Sequence, residues 1–123
     1  MILKTYTRIF SDNFQTSMTF LERFLGKTAD ITVQFKALKI GAIGGYCVVA
    51  GTAEALAPYR HTYGPIIVDD LIGTEERLVR AGAVVTVPIR EAPTGLMLYV
   101  RHPDGAHVEY VQFKKDLVDR IIG

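Results

Sequence analysis

The chain has 123 residues, enough for one domain with a hydrophobic core and too few for two ordinary ones. Apolar residues make up 49% of it, charged residues 22%, and the formal net charge is +1. That balance, with its scattered basic residues, excludes an electrostatic grip on nucleic acid or on an anionic membrane. Residues 2–10 read as a strand, because Thr5, Tyr6, Thr7, Ile9 and Phe10 are β-branched or aromatic. Ser11-Asp12-Asn13 then offers capping side chains for a helix. Phe14, Met18, Leu21 and Leu25 follow at three- and four-residue steps, with Phe20 and Phe24 widening the stripe, until Gly26 ends the helix. Short β-type runs come next at Ile31–Phe35, Leu38–Ile43 and Tyr46–Ala50, with Gly41, Gly44 and Gly45 among them as turn or bulge glycines. Gly51 to His61 reads as a linker containing Pro58, with a short helical turn around Ala53–Leu56.

The pattern then begins again. Ile66-Ile67-Val68 is a strand, and Asp69-Asp70 caps a helix whose inner face carries Leu71, Leu78, Val79 and Ala81 before Gly82 ends it. Val84–Ile89, Leu96–Val100 and Val108–Phe113 are three further strands, the last reached through the turn Pro103-Asp104-Gly105. Residues 114–123 form a terminal helical turn that packs Leu117 and Ile121. Two copies of strand–helix–three strands are too few for a solenoid. They read as two half-sites around a shared cleft: module one at about 1–52, a linker at about 53–62 and module two at about 63–113, in a single α+β domain.

Cys47 lies in the apolar run Tyr46–Ala50 and is expected to be a small buried hydrophobe rather than a nucleophile. With one cysteine no internal disulfide forms, and a reduced, cytoplasmic setting fits. Met1-Ile2-Leu3-Lys4-Thr5 lacks the basic start and long apolar stretch of a signal peptide. No apolar run approaches the length of a membrane span.

Three stretches are similar to a known family. They are Ser11-Asp12 through Ser17, Phe20-Leu21 and Leu25-Gly26; Val68-Asp69-Asp70-Leu71 through Leu78 and Ala81-Gly82-Ala83; and the hairpin Val100-Arg101-His102-Pro103-Asp104-Gly105-Ala106-His107-Val108-Glu109. In this order they resemble the vicinal oxygen chelate superfamily, the glyoxalase / bleomycin-resistance / extradiol dioxygenase group. The resemblance implies paired βαβββ modules, each curling into half of a cup, with helices on the outer face. It also implies a ligand inside the cup, frequent homodimers and, in many members, one divalent metal held by two His and two Glu.

Carried over position by position, those metal ligands fall on Thr5, on Val48 or Val49, on Tyr63 with His61 nearby, and on Glu109. Only Glu109 is of the right type, so no cofactor is expected; Glu109 and His61 would be the ligands if a divalent metal bound. His107 alternates with Glu109 on one strand, so the pair could do acid–base work, and Val111 and Phe113 share their face. The expected catalytic candidates are therefore Glu109 and His107, and the expected lining residues are Thr5, Thr7, Val48, Tyr63, Tyr99, Val111 and Phe113. Arg8 stands where the pattern has an apolar, helix-facing residue, so either the strand phase is shifted by one or Arg8 is partnered; Met97, Tyr99 and Arg101 share that question of phase.

Three functions are open to such a chain: a metal-free protein binding a small molecule, a metal-dependent or Glu109-based lyase, isomerase or dioxygenase, and a non-catalytic dimeric interaction module.

Overall fold

The computed structural model of the chain describes residues 1–122, and Gly123 lies outside the described residues. The elements in chain order are β1 (Ile2–Thr5), β2 (Thr7–Ser11), α1 (Phe14–Leu25), β3 (Ile31–Phe35), β4 (Leu38–Ile43) and β5 (Tyr46–Ala50). Then come α2 (Ala53–Leu56), a 3₁₀ turn at Ala57–Tyr59, β6 (Thr62–Val68), α3 (Leu71–Arg80), β7 (Val84–Ala92), β8 (Gly95–Arg101), β9 (His107–Phe113) and α4 (Lys115–Ile122).

The strands form two sheets, ordered β2-β5-β4-β3 and β1-β6-β9-β8-β7. Apart from β1, the two have the same internal order. In each, the first strand lies parallel beside the fourth, and the rest is an antiparallel meander. The repeat seen in the residues is thus a repeat of topology.

The first strand departs from the reading of residues 2–10 as one piece. It breaks at Tyr6: Ile2–Thr5 pairs with β6 in one sheet, and Thr7–Ser11 pairs with β5 in the other. The crossing is pinned on both sides. Tyr6 N–H donates to the Pro65 carbonyl at 3.1 Å, and Thr7 N–H to the Gly45 carbonyl at 2.8 Å.

Both long helices start on side-chain caps. Asn13 Oδ1 accepts from Thr16 N at 3.0 Å, and Asp70 Oδ1 from Gly73 N at 3.1 Å. Met18 and Leu21 of α1 bury against Ile43 and Val48, and Leu71 of α3 against Leu98, Val100 and Val108. Phe20 and Phe24 do not widen that stripe. They lie on the far side of the helical wheel, stack on each other at 6.2 Å between ring centroids, and are exposed. Val79 and Ala81 likewise face out from the second helix, where Thr74 is buried instead.

The third and largest apolar cluster lies between the sheets. Ile31, Leu38, Ala42, Cys47 and Val49 meet Ile67, Met97, Tyr99, Val111 and Phe113 there. Leu56 of α2 and Leu117 of α4 join the same cluster, so the linker and the tail both pack onto it. Alternation along each strand sends one set of side chains to this inner cluster and the other to a helix. Among the described residues, no helix is long and apolar enough to cross a membrane.

Candidate functional site

The inner faces enclose a cavity of about 90 Å³. Its walls are mostly apolar, drawn from β3, β4 and β5 on one side and β8 and β9 on the other. Arg8 and Glu109 are the two charged side chains among its lining residues.

Those two form an ion pair. Arg8 Nη2 donates to Glu109 Oε1, and the side chains are 6% and 14% exposed. Arg8 Nη1 donates to Thr62 Oγ1, whose own proton goes to the Tyr59 carbonyl at 2.6 Å. A chain of donors thus runs from the guanidinium through a buried threonine to the backbone of the linker. It fixes the plane of the guanidinium. Burial pushes the Glu109 carboxyl up, and Arg8 pulls it back. Tyr99 stands directly across from Glu109 on the neighbouring strand, and burial raises its phenol. Tyr6 lies deep in the same wall with its phenol raised by burial, and its hydroxyl has no partner.

Cys47 pairs in register with Arg8 and also lines the cavity. Burial pushes its thiol up to about 12, against the pull of Arg8. A thiol so placed carries almost no thiolate near neutral pH. Native protein at pH 8 is expected to resist iodoacetamide and to become alkylated only as denaturant unfolds it. Stoichiometric labelling without denaturant, read by mass spectrometry, would contradict that.

The structure brings Glu109, Tyr99, Val111 and Phe113 together on the cavity wall. It does not bring the other expected residues there. Thr5 and Thr7 are exposed, because Tyr6, Arg8 and Phe10 face inward on that stretch of chain. Val48 is fully buried under α1, while its neighbours Cys47 and Val49 line the cavity. The corrections at Thr7 and Val48 share a cause. Strands β2 and β5 pair in register, Arg8 with Cys47 and Phe10 with Val49, so a phase error of one residue moves both strands together. Tyr63, in β6, is 63% exposed, and His61, in the turn just before that strand, is exposed as well.

His107 shares the face of Glu109 but sits beyond the cavity, at the start of β9. Its Nε2 meets Thr86 Oγ1 at 2.6 Å, and its ring lies edge-on to Tyr99. Partial burial and Arg101 lower its pKa. Missed from the sequence as lining residues were Arg8, Phe10 and Cys47. One signal did exist: an arginine in an otherwise apolar and aromatic strand needs a buried partner.

A divalent ion does not fit this site. Of the carried-over positions Glu109 and Val49 reach the cup; valine carries no donor, and the Glu109 carboxylate is already taken by a guanidinium. Thr5, Tyr63 and His61 face outward and Val48 faces a helix. Among the described residues no three His, Cys, Asp or Glu side chains gather as a ligand set.

No protein-family model matches the chain, and no curated protein matches it in sequence. Solved structures do. An uncharacterized protein from Methanosarcina mazei is 29% identical, with a TM-score of 0.88 over 94% of this chain and 95% of that one. Methylmalonyl-CoA epimerase from Mycobacterium tuberculosis is 15% identical, with a TM-score of 0.71 over 96% of this chain and 93% of that one. A Streptomyces coelicolor methylmalonyl-CoA epimerase variant in complex with 2-nitronate-propionyl-CoA is 14% identical, with a TM-score of 0.70 over 94% and 97%. These likenesses show the architecture: the chain has the paired βαβββ modules and the cup of the vicinal oxygen chelate fold.

Proposed function

We propose that this is a glyoxalase/bleomycin-resistance-like protein that binds a small organic molecule in the cup without a metal. One observation carries the reading. The guanidinium of Arg8 sits on Glu109, the one family-type metal ligand that faces the cup, so the site already holds its cation. A second positive ion beside a buried arginine would be repelled at close range in a medium of low dielectric. The apolar walls with a few fixed polar groups are what a small organic ligand requires.

Thermal-shift screening against small organic compounds tests this, run with and without EDTA. A true ligand at a hundred times its Kd adds about 2.7 kcal/mol and raises Tm by several degrees, equally in both conditions. Metal analysis of protein purified without chelators is expected to find less than one equivalent of any divalent ion. A stoichiometric metal whose removal abolishes binding would end the proposal.

A second reading makes Glu109 the acid–base group of a metal-free lyase or isomerase. Favouring it, Glu109 is the carboxylate on the cavity wall, burial raises its pKa, and epimerases share the fold. Turnover of a candidate substrate that survives Glu109→Gln would rule that role out.

A further inference from the structure

Two buried polar groups in the cup are left without a hydrogen-bond partner, although the Tyr99 hydroxyl lies close to the Arg8 guanidinium. Arg8 Nε and the Tyr6 hydroxyl are buried and have no hydrogen-bond partner. Buried donors in folded proteins are almost always paired, so two orphans on one cavity wall need an explanation. Both side chains line the cavity, from positions two apart on the first stretch of chain. The direction of the Arg8 Nε–H is fixed, because both terminal nitrogens of the same group are held, one by Thr62 and one by Glu109.

Charge narrows what such donors can receive. Arg8 and Glu109 sum to zero, and no other lining residue among those described is charged. A ligand carboxylate would leave one uncompensated negative charge in a buried apolar space. A ligand ammonium would bring more donors to a wall that already has unpaired ones, and Glu109 is taken. Size narrows it further. An apolar cavity of about 150 Å³ admits benzene, and this one is about 90 Å³. The part of a ligand held inside is therefore smaller than a benzene ring unless side chains move.

Resting on the small-molecule reading above, we infer that the cup takes an uncharged compound with a compact apolar body and a hydrogen-bond-accepting oxygen. A ketone, aldehyde, lactone or ester has that chemistry. The oxygen receives the Arg8 Nε–H and the Tyr6 hydroxyl proton, and the apolar body lies against Met97, Val111 and Phe113.

Three probes of matched shape test this: cyclobutanone, its hydrocarbon isostere methylenecyclobutane, and cyclobutanecarboxylate. Each is titrated into the full chain by NMR, reading the methyls of Met97 and Val111 and the Arg8 Nε–H signal. The ketone is expected to bind about tenfold more tightly than the hydrocarbon, the size of one net hydrogen bond, and to shift the Arg8 Nε–H. The carboxylate is expected to bind more weakly than the ketone. Tyr6→Phe keeps the ring and removes an unpaired hydroxyl, so it folds with unchanged or higher stability while the advantage of the ketone over the hydrocarbon shrinks. If hydrocarbon and ketone bind equally, or the carboxylate binds best, the cup still binds ligands and this inference fails. The same holds if the Arg8 signal stays still and Tyr6→Phe changes nothing. If no probe moves any cavity methyl, the small-molecule reading fails with it.

Discussion

Replacing Arg8 with alanine is expected to destabilise the protein by about 3–5 kcal/mol at neutral pH, the range for breaking one side of a buried ion pair. The loss has two parts. The Glu109 carboxylate stays buried with nothing to balance it, and Thr62 loses the donor at its hydroxyl oxygen. Much of a domain's total stability, about 5–15 kcal/mol, is then gone. The pair itself need not be strongly stabilising, because ordering and desolvating both groups offsets much of their attraction. Arg8→Met with Glu109→Leu, which removes both charges and fills the space with apolar side chains, should therefore recover most of the loss.

The deficit of Arg8→Ala also has a definite pH dependence. Without Arg8, burial alone acts on Glu109 and raises its folded-state pKa above the unfolded value. A carboxyl with a raised folded pKa binds more protons folded than unfolded. Its contribution is fully present below the unfolded pKa and is lost as pH rises through the folded one. The single variant should thus come closest to the native protein near pH 4–5 and fall furthest behind it near pH 8. Urea denaturation of the native chain, of Arg8→Ala and of the double variant across that range checks every step. A loss under 1 kcal/mol that does not vary with pH would mean that water reaches Glu109 and that the cup is wet.

Much of the fold was legible because its signals are local. Strands β3, β4 and β5 begin and end where alternating apolar residues and glycines say they should, and Asn13 and Asp70 cap the helices. The resemblance to a family of paired modules supplied the shape, and the matching strand order of the two sheets has that form. The site was less legible because its signals are long-range. Thr5 and Thr7 as lining residues came from counting along a strand treated as continuous. The strand in fact breaks at Tyr6 as the chain passes from one sheet to the other, and the side that faces the cup depends on that crossing. Arg8 could be flagged as misplaced, but its partner lies 101 residues away. The start of β6 was hidden as well. The residues place that strand at Ile66-Ile67-Val68, yet Thr62 and Tyr63, before Gly64-Pro65, already pair with His107 and Val108.

That same segment carries the second large effect. Gly64→Ala is expected to cost about 2–5 kcal/mol, from a backbone conformation that side chains avoid plus an overpacked contact. Gly64 has φ +117°, and a Cβ there would lie 2.7 Å from the Glu109 carbonyl oxygen. The obstacle is backbone within a paired strand, so no side chain can swing aside to relieve it. Either β6 moves off β9 or Glu109 moves, and the chain of donors from Arg8 to Thr62 spans that join. Gly105→Ala separates the two costs. Gly105 also has positive φ, at +96°, but nothing lies within 4 Å of the Cβ position. It should lose only the conformational part, about 1 kcal/mol. Urea denaturation of both variants, with the Arg8 Nε–H signal as a local reporter, distinguishes them. Gly64→Ala should shift that signal and Gly105→Ala should not. Equal losses, or an unmoved Arg8 signal in Gly64→Ala, would mean that the backbone at Gly64 does not set the position of Glu109.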